Sequence, residues 1–258
     1  MSTKTPLKTV KTQLAIAVLL AAPFTSHADT LLGIYAGAGV WQTDIDGAIG
    51  TDSDPITTQE LGLESENNNY FYLALEHPVP VLPNIRLSQT ALKHEGAATV
   101  SREFTWDNQT FSGEAATATT LDFTMTDVTL YYEILDNWVS LDVGVTAKVL
   151  DGEAIVSQPA YNRSETIELS GGLPLLYAMA RFDLPLTGLY VAAKANYIGY
   201  DDSTVSDADF HIGYRLESVL DVGAELGYRQ FKLDLQDFED ATANLTYDGP
   251  YLNLAIHF

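Results

Sequence analysis

From Trp138 to Leu150 the chain alternates apolar and polar residues without a break. Val139, Leu141, Val143, Val145, Ala147 and Val149 share one face of an extended segment; Ser140, Asp142, Gly144, Thr146 and Lys148 share the other. A period of two marks a strand with one apolar face. The run is much longer than an ordinary strand of about five or six residues. It matches a tilted membrane strand of about 9–11 residues plus a rim. Residues 219–231 repeat the design, with Leu220, Val222, Ala224, Leu226 and Tyr228 on one face and Asp221, Glu225 and Arg229 on the other. An arginine facing lipid at mid-bilayer costs roughly 2–4 kcal/mol. The charged faces therefore point into a barrel and the apolar faces into lipid.

Applied along the chain, this rule predicts an all-β fold: a transmembrane, antiparallel, up-and-down β-barrel of about ten strands. The expected strands are 30–43, 69–76, 85–95, 123–135, 138–150, 175–183, 189–200, 209–217, 219–231 and 246–258. The third is the least regular, because Gln89 and Lys93 share a face with Ile85 and Leu87; a bulge there restores the pattern. Eight or twelve strands are the alternatives. Short links at 77–84, 136–137, 184–188 and 217–218 alternate with longer polar stretches at 44–68, 96–121, 151–173, 201–208 and 232–245. Short turns on one side and long loops on the other are the habit of outer-membrane barrels, with the short side periplasmic. An even strand count returns both ends to that side.

The termini fit this address. Lys4, Lys8 and Lys11 precede the apolar run Leu14–Ala22, and Ser26-His27-Ala28 supplies small residues before Asp29. This is the layout of a cleaved secretory signal, so residues 1–28 are expected to be removed and 29–258 to form a single barrel. The last strand puts Leu252, Leu254, Ile256 and Phe258 on its lipid face.

Composition narrows the function classes. The chain has no cysteine, which excludes a disulfide framework and a thiol nucleophile. Its formal charge of −22 argues against a nucleic-acid partner and against basic docking on anionic lipid.

Several segments resemble a family of uncharacterised Gram-negative outer-membrane β-barrel proteins, catalogued with genomes that carry the GlyGly C-terminal sorting system. They are the opening Asp29–Trp41, the stretch Asn67–Leu75, the link Glu76–Arg86 and the terminal strand. The resemblance implies the location and the fold and supplies no catalytic residues. The terminal strand also looks like the C-terminal β-signal read by the barrel-assembly machinery, which implies that Leu252, Leu254, Ile256 and Phe258 are assembly determinants.

The charges expected in the lumen are Asp127, Glu133, Asp142, Lys148, Arg181, Asp183, Lys194, Arg215, Glu217, Asp221, Glu225 and Arg229. Both signs are present, so they can pair and fill a narrow barrel; a small channel is the alternative. The loops carry acidic runs: Asp44, Asp46, Asp52, Asp54, Glu60, Glu64 and Glu66, then Asp201, Asp202, Asp207 and Asp209, then Asp234, Asp237, Glu239 and Asp240. None has the spacing of an EF-hand loop, and a solvated acidic surface is the plainer reading. His94 and His211 are the histidines expected inward near the outer rim, and no motif gives either a catalytic partner. The sequence thus predicts no enzyme, no cofactor and no metal. It predicts an outer-membrane protein with a charge-paired lumen and acidic extracellular loops, structural or surface-exposed in role. A narrow pore or small-solute transporter is the second reading and a rim hydrolase the third. Expected partners are outer-membrane lipid and lipopolysaccharide, and the assembly machinery. Oligomeric state is not legible.

Overall fold

The computed structural model describes residues 32–258 apart from 52–53, 107–108, 217, 219 and 239–240. The expected signal segment 1–28, the start of the first expected strand, and Glu217 lie outside the described residues. The strands are β1 (Gly33–Thr51), β2 (Asp54–Thr57), β3 (Glu66–Glu76), β4 (Asn84–Val100), β5 (Phe104–Trp106), β6 (Gln109–Phe111) and β7 (Ala115–Asp136). They continue with β8 (Val139–Gln158), β9 (Arg163–Asp183), β10 (Leu189–Tyr200), β11 (Ser203–Leu216), β12 (Asp221–Phe238) and β13 (Ala241–His257). Among the described residues, no helix is long and apolar enough to cross a membrane.

Ten strands form a closed antiparallel wall in the order β1-β3-β4-β7-β8-β9-β10-β11-β12-β13, and β13 pairs back onto β1. The seam runs from Tyr35 opposite His257 to Gly50 opposite Thr242. It is completed by Ile34 and Phe258, whose backbone N–H groups donate to each other's carbonyls at 2.8 and 3.1 Å. Closure removes the unpaired edge that lipid would penalise. This is the fold of an outer-membrane β-barrel.

The outer surface of the short-turn half is apolar. Phe71, Leu73, Val145, Leu176, Phe210, Leu226, Leu252 and Leu254 are 47–69 % exposed and lie on neighbouring strands. A continuous apolar band of this kind is a lipid surface. Their strand neighbours face inward, among them Tyr72, Tyr177, Glu225 and Asn253, all buried.

Above that band the same alternation continues with its phase reversed. On β7, Asp127, Thr129 and Tyr131 face inward in the lower half, whereas Leu121, Phe123 and Met125 face inward in the upper half. On β1 the inward residues become Trp41, Ile45 and Ile49, and on β13 they are Leu245 and Tyr247. Lipid rewards an apolar outside and water rewards an apolar inside. The level of reversal therefore marks where the barrel leaves the membrane.

This reversal corrects the sequence reading of the long connections. Much of 44–68, 96–121, 151–173, 201–208 and 232–245 is strand rather than loop, as β1, β4, β7, β8, β9, β11, β12 and β13 all continue upward. It also removes the need for a bulge in the third strand of the wall. β4 pairs with β7 in unbroken register from Asn84 to Val100. Gln89 reaches Thr126 on the outer surface at 3.3 Å, and Lys93 pairs with Glu95 at 2.7 Å once the strand has entered water.

The upper barrel is filled by its own connections. β2 pairs with the top of β1, and Leu63 bridges to Gly96, so residues 54–63 continue the wall above the shorter β3. Ile56 and Leu61 from this segment are fully buried. The β5–β6 hairpin adds Phe104, Trp106 and Phe111, also out of solvent, with Phe104 and Phe111 stacked at 5.3 Å. Together with Trp41, Leu92, Leu121 and Phe231 they form one apolar core.

Candidate functional site

The lumen has two levels. At the level of the phase reversal, Lys148 from β8 is completely buried. Its ammonium donates to Asp127 of β7 and Asp207 of β11, both at 2.9 Å. Arg229 of β12 grips Asp207 with two bonds, Nε–Oδ1 at 2.8 Å and Nη2–Oδ2 at 2.7 Å, and donates to Thr90 of β4 at 3.0 Å. Buried charges persist only when paired and hydrogen-bonded, and here five strands contribute to the network. The layer meets the apolar core directly, with Lys148 Nζ 5.3 Å from the Phe231 ring centre and the Arg229 guanidinium 4.7 Å from that of Trp41. Above it, Phe231, Phe123 and His94 surround the Tyr247 ring with centroids 5.5–6.4 Å away.

Below the charged layer lies a cavity of about 370 Å³. Glu76, Asp136, Asn137 and Asp183 are part of its lining, so it reaches the short-turn end. Tyrosine rings from β1, β3, β7, β9 and β13 make up much of the wall. Most of its charges are matched. Arg181 makes a bidentate pair with Asp183 at 2.7 and 3.0 Å, and Lys194 meets Asp209 at 2.8 Å. Glu225 accepts from Tyr190 and Asn253, each at 2.7 Å. Near the lower rim, Arg215 lies 3.7 Å from Asp183, and Asp221 lies 3.3 Å from His257. Glu133 and Asp142 face each other across β7 and β8 without a cation within 4.0 Å among the described residues. Arg86 lies 3.8 Å from the centre of the Tyr72 ring and donates to the Tyr70 hydroxyl at 3.3 Å.

Of the charges expected in the lumen, Lys148 and Asp127 thus lie in the upper layer with Arg229, which also reaches the cavity. Glu133, Asp142, Arg181, Asp183, Lys194, Arg215 and Glu225 line the cavity. The sequence places Asp207 in a loop and Asp209 at the loop's junction with the expected strand 209–217; both are buried on β11. The alternation Val205, Asp207, Asp209, His211 could have located them, since all four share a face. Arg86 was hidden in the weakest strand.

The histidines sit elsewhere than the outer rim. His211 lines the cavity, 3.1 Å from Asp209 and 2.8 Å from the Tyr251 hydroxyl. His94 lies inside the upper core with both ring nitrogens engaged. Nδ1 donates to the Glu64 carbonyl at 2.9 Å, and Nε2 accepts from Thr43 at 2.9 Å, a tautomer assigned from these partners. Burial pushes its pKa below the ordinary histidine value.

The first acidic stretch, which has no base of its own, is met by one from another connection. Arg102, from the connection before β5, reaches both Asp54 and Glu60, the latter at 2.9 Å. Bonding to Arg102, helped by Thr57, holds the Glu60 carboxyl down at about 2.

No protein-family model matches this chain, and no curated protein matches it. The suggested GlyGly-associated family therefore rests on the quoted segments alone. Among solved structures, the chain is similar to the translocator domain of the autotransporter NalP from Neisseria meningitidis. That match has 11 % identity and a TM-score of 0.44, covering 90 % of this chain and 89 % of the other. It is also similar to a FadL homologue from Pseudomonas aeruginosa, at 12 % identity and a TM-score of 0.38, covering 88 % and 90 %.

Proposed function

We propose that this protein is a sealed, non-conducting barrel of the outer membrane that holds a rigid acidic extension above the outer leaflet. The observation that carries this reading is the layer at Lys148. A solute passing through the barrel would have to separate Lys148 from two aspartates and Arg229 from Asp207. It would then have to cross an apolar core packed from wall to wall. Both steps strip partners from buried charges or open a cavity in close-packed side chains. The outward acids of the upper strands, such as Asp44, Asp46 and Asp122, give that extension a repulsive, soluble surface. On this reading the role is structural or surface-exposed, within the GlyGly-associated group that the sequence resembles, and no reaction is assigned.

Outer-membrane residence is part of the proposal, with lipid and lipopolysaccharide as the contacts of the apolar band. So is delivery by the barrel-assembly machinery through Leu252, Leu254, Ile256 and Phe258. The first three project from the outer face of β13 at 37–65 % exposure, and Phe258 follows them at the seam.

Conductance of the refolded full chain in a planar bilayer tests the seal, with heat-modifiable gel mobility reporting that the barrel has formed. A quiet membrane is the expected result. Steady single-channel steps from heat-modifiable protein would replace the sealed barrel by the narrow-pore reading.

A further inference from the structure

We infer that the lower cavity binds a small organic ammonium ion between β7, β8 and β9. The site begins with two like charges in register. Glu133 and Asp142 are direct partners across the antiparallel pair β7–β8, on the lumenal face. Like charges placed directly opposite repel and weaken a sheet. Glu133 accepts from Asn84 at 3.3 Å, but Asp142 is only 7 % exposed and its Oδ1 accepts no hydrogen bond among the described residues. A buried carboxylate oxygen without a donor is costly. Its position on the cavity wall means that a donor can be supplied from the cavity.

The neighbouring surface suits an organic cation. Tyr131 and Tyr177 both pair in register with Gly144, one from each side. Because Gly144 has no side chain, the two rings approach to 5.8 Å between centroids at a tilt of 51°. Glu76, a third carboxylate without a cation within 4.0 Å among the described residues, accepts from the Tyr131 hydroxyl at 2.8 Å. Aromatic faces beside carboxylates recognise ammonium groups through cation–π attraction and charge-assisted hydrogen bonds. A bare metal ion fits less well, since among the described residues no three acids or histidines converge closely enough to ligate one. The cavity volume of about 370 Å³ lies at the small end of small-molecule sites, which run about 300–1,000 Å³. Access is from the short-turn end, so the ligand is a periplasmic amine on the orientation argued above.

This site goes beyond the sealed-barrel reading and does not require it. Binding in solution and conductance in a bilayer are separate measurements, so either can fail alone. Calorimetric titration of the refolded full chain with putrescine at low salt is the test, alongside potassium and magnesium chloride. Saturable binding of putrescine is expected, weakened at least tenfold by Asp142→Asn and by Glu133→Gln. Glu95→Gln, on the outer surface of the upper wall, is expected to leave it unchanged. No saturable heat from heat-modifiable protein would overturn the inference. Equal binding of the inorganic cations, or insensitivity to Asp142→Asn, would do the same.

Discussion

Lys148 and Asp207 stand 59 positions apart in sequence, yet their Nζ and Oδ2 atoms meet at 2.9 Å with both side chains out of solvent. Removing one partner of such a pair leaves the other charge buried and costs about 3–5 kcal/mol. Lys148→Ala is therefore expected to lower the stability of the refolded barrel by about that amount in urea titrations. Asp127→Asn in the same chain should recover part of the loss, because one fewer carboxylate is left unpaired. A loss below about 1 kcal/mol for Lys148→Ala would mean that water reaches this layer.

The wall of the barrel was legible because alternation over membrane length has few competing explanations. Every expected strand overlaps a strand of the wall, and β10 matches at both ends. The upper ends were missed for a physical reason. A rule that sends apolar faces outward is correct only inside lipid, and above it the same residues obey the opposite rule. Asp44 and Asp46 read as loop because they are charged, but they are the outer face of β1, whose inner face here is Thr43 and Ile45. The ion pairs of the lumen were less legible still. Alternation says that Lys148 points inward; only the closure of ten strands says that it meets Asp207.

Tyr247 carries a hydroxyl that is buried in the upper core and has no hydrogen-bond partner among the described residues. Replacing it by phenylalanine keeps the ring packing against Phe231 and Phe123 and removes an unsatisfied polar group, whose burial costs about 1–3 kcal/mol. Tyr247→Phe is expected to be neutral or to stabilise the barrel by about 1 kcal/mol in the same titrations. A loss greater than 1 kcal/mol would reveal a hidden partner for the hydroxyl.

His94 should make the upper barrel sensitive to acid. Its pKa is depressed in the folded chain by burial, so the unfolded chain binds the proton more readily. The stabilising contribution is complete above the unfolded value of about 6.5. It is lost as pH falls from there through the lower folded value. Amide exchange in the upper part of β4 is expected to accelerate over that interval, and His94→Gln should flatten this component of the pH dependence. An unchanged slope in the variant would assign the acid sensitivity to another group.

Arg102 joins two connections that the sequence leaves independent. Its partners Asp54 and Glu60 are about one-third exposed, so each ion pair is worth at most about 1 kcal/mol. Glu60 remains ionised until pH falls to about 2, below the ordinary carboxylate range. The contribution of this contact is therefore present above the unfolded glutamate value and is lost only as pH falls through about 2. Arg102→Ala should barely change global stability yet speed proteolysis within residues 52–66. Unaltered cleavage would indicate that Ile56 and Leu61 anchor the segment without help.

Phe258 separates two effects that are usually mixed. Its backbone exchanges both hydrogen bonds with Ile34 at the foot of the seam, and net values of about 1 kcal/mol per bond set the scale of the direct loss on deletion. A barrel with ten paired strands can absorb that in vitro, so deletion of Phe258 is expected to leave refolding in detergent largely intact. On the proposed reading, recognition during assembly depends instead on the side chain that projects beside Ile256 and Leu254. In cells the deletion should therefore cut the amount of heat-modifiable protein in the outer-membrane fraction several-fold, and Phe258→Tyr should preserve it. Normal cellular levels after deletion would remove Phe258 from the assembly determinants and leave it a lipid-facing residue. Equal losses in detergent and in cells would instead make the seam, rather than recognition, the limiting step.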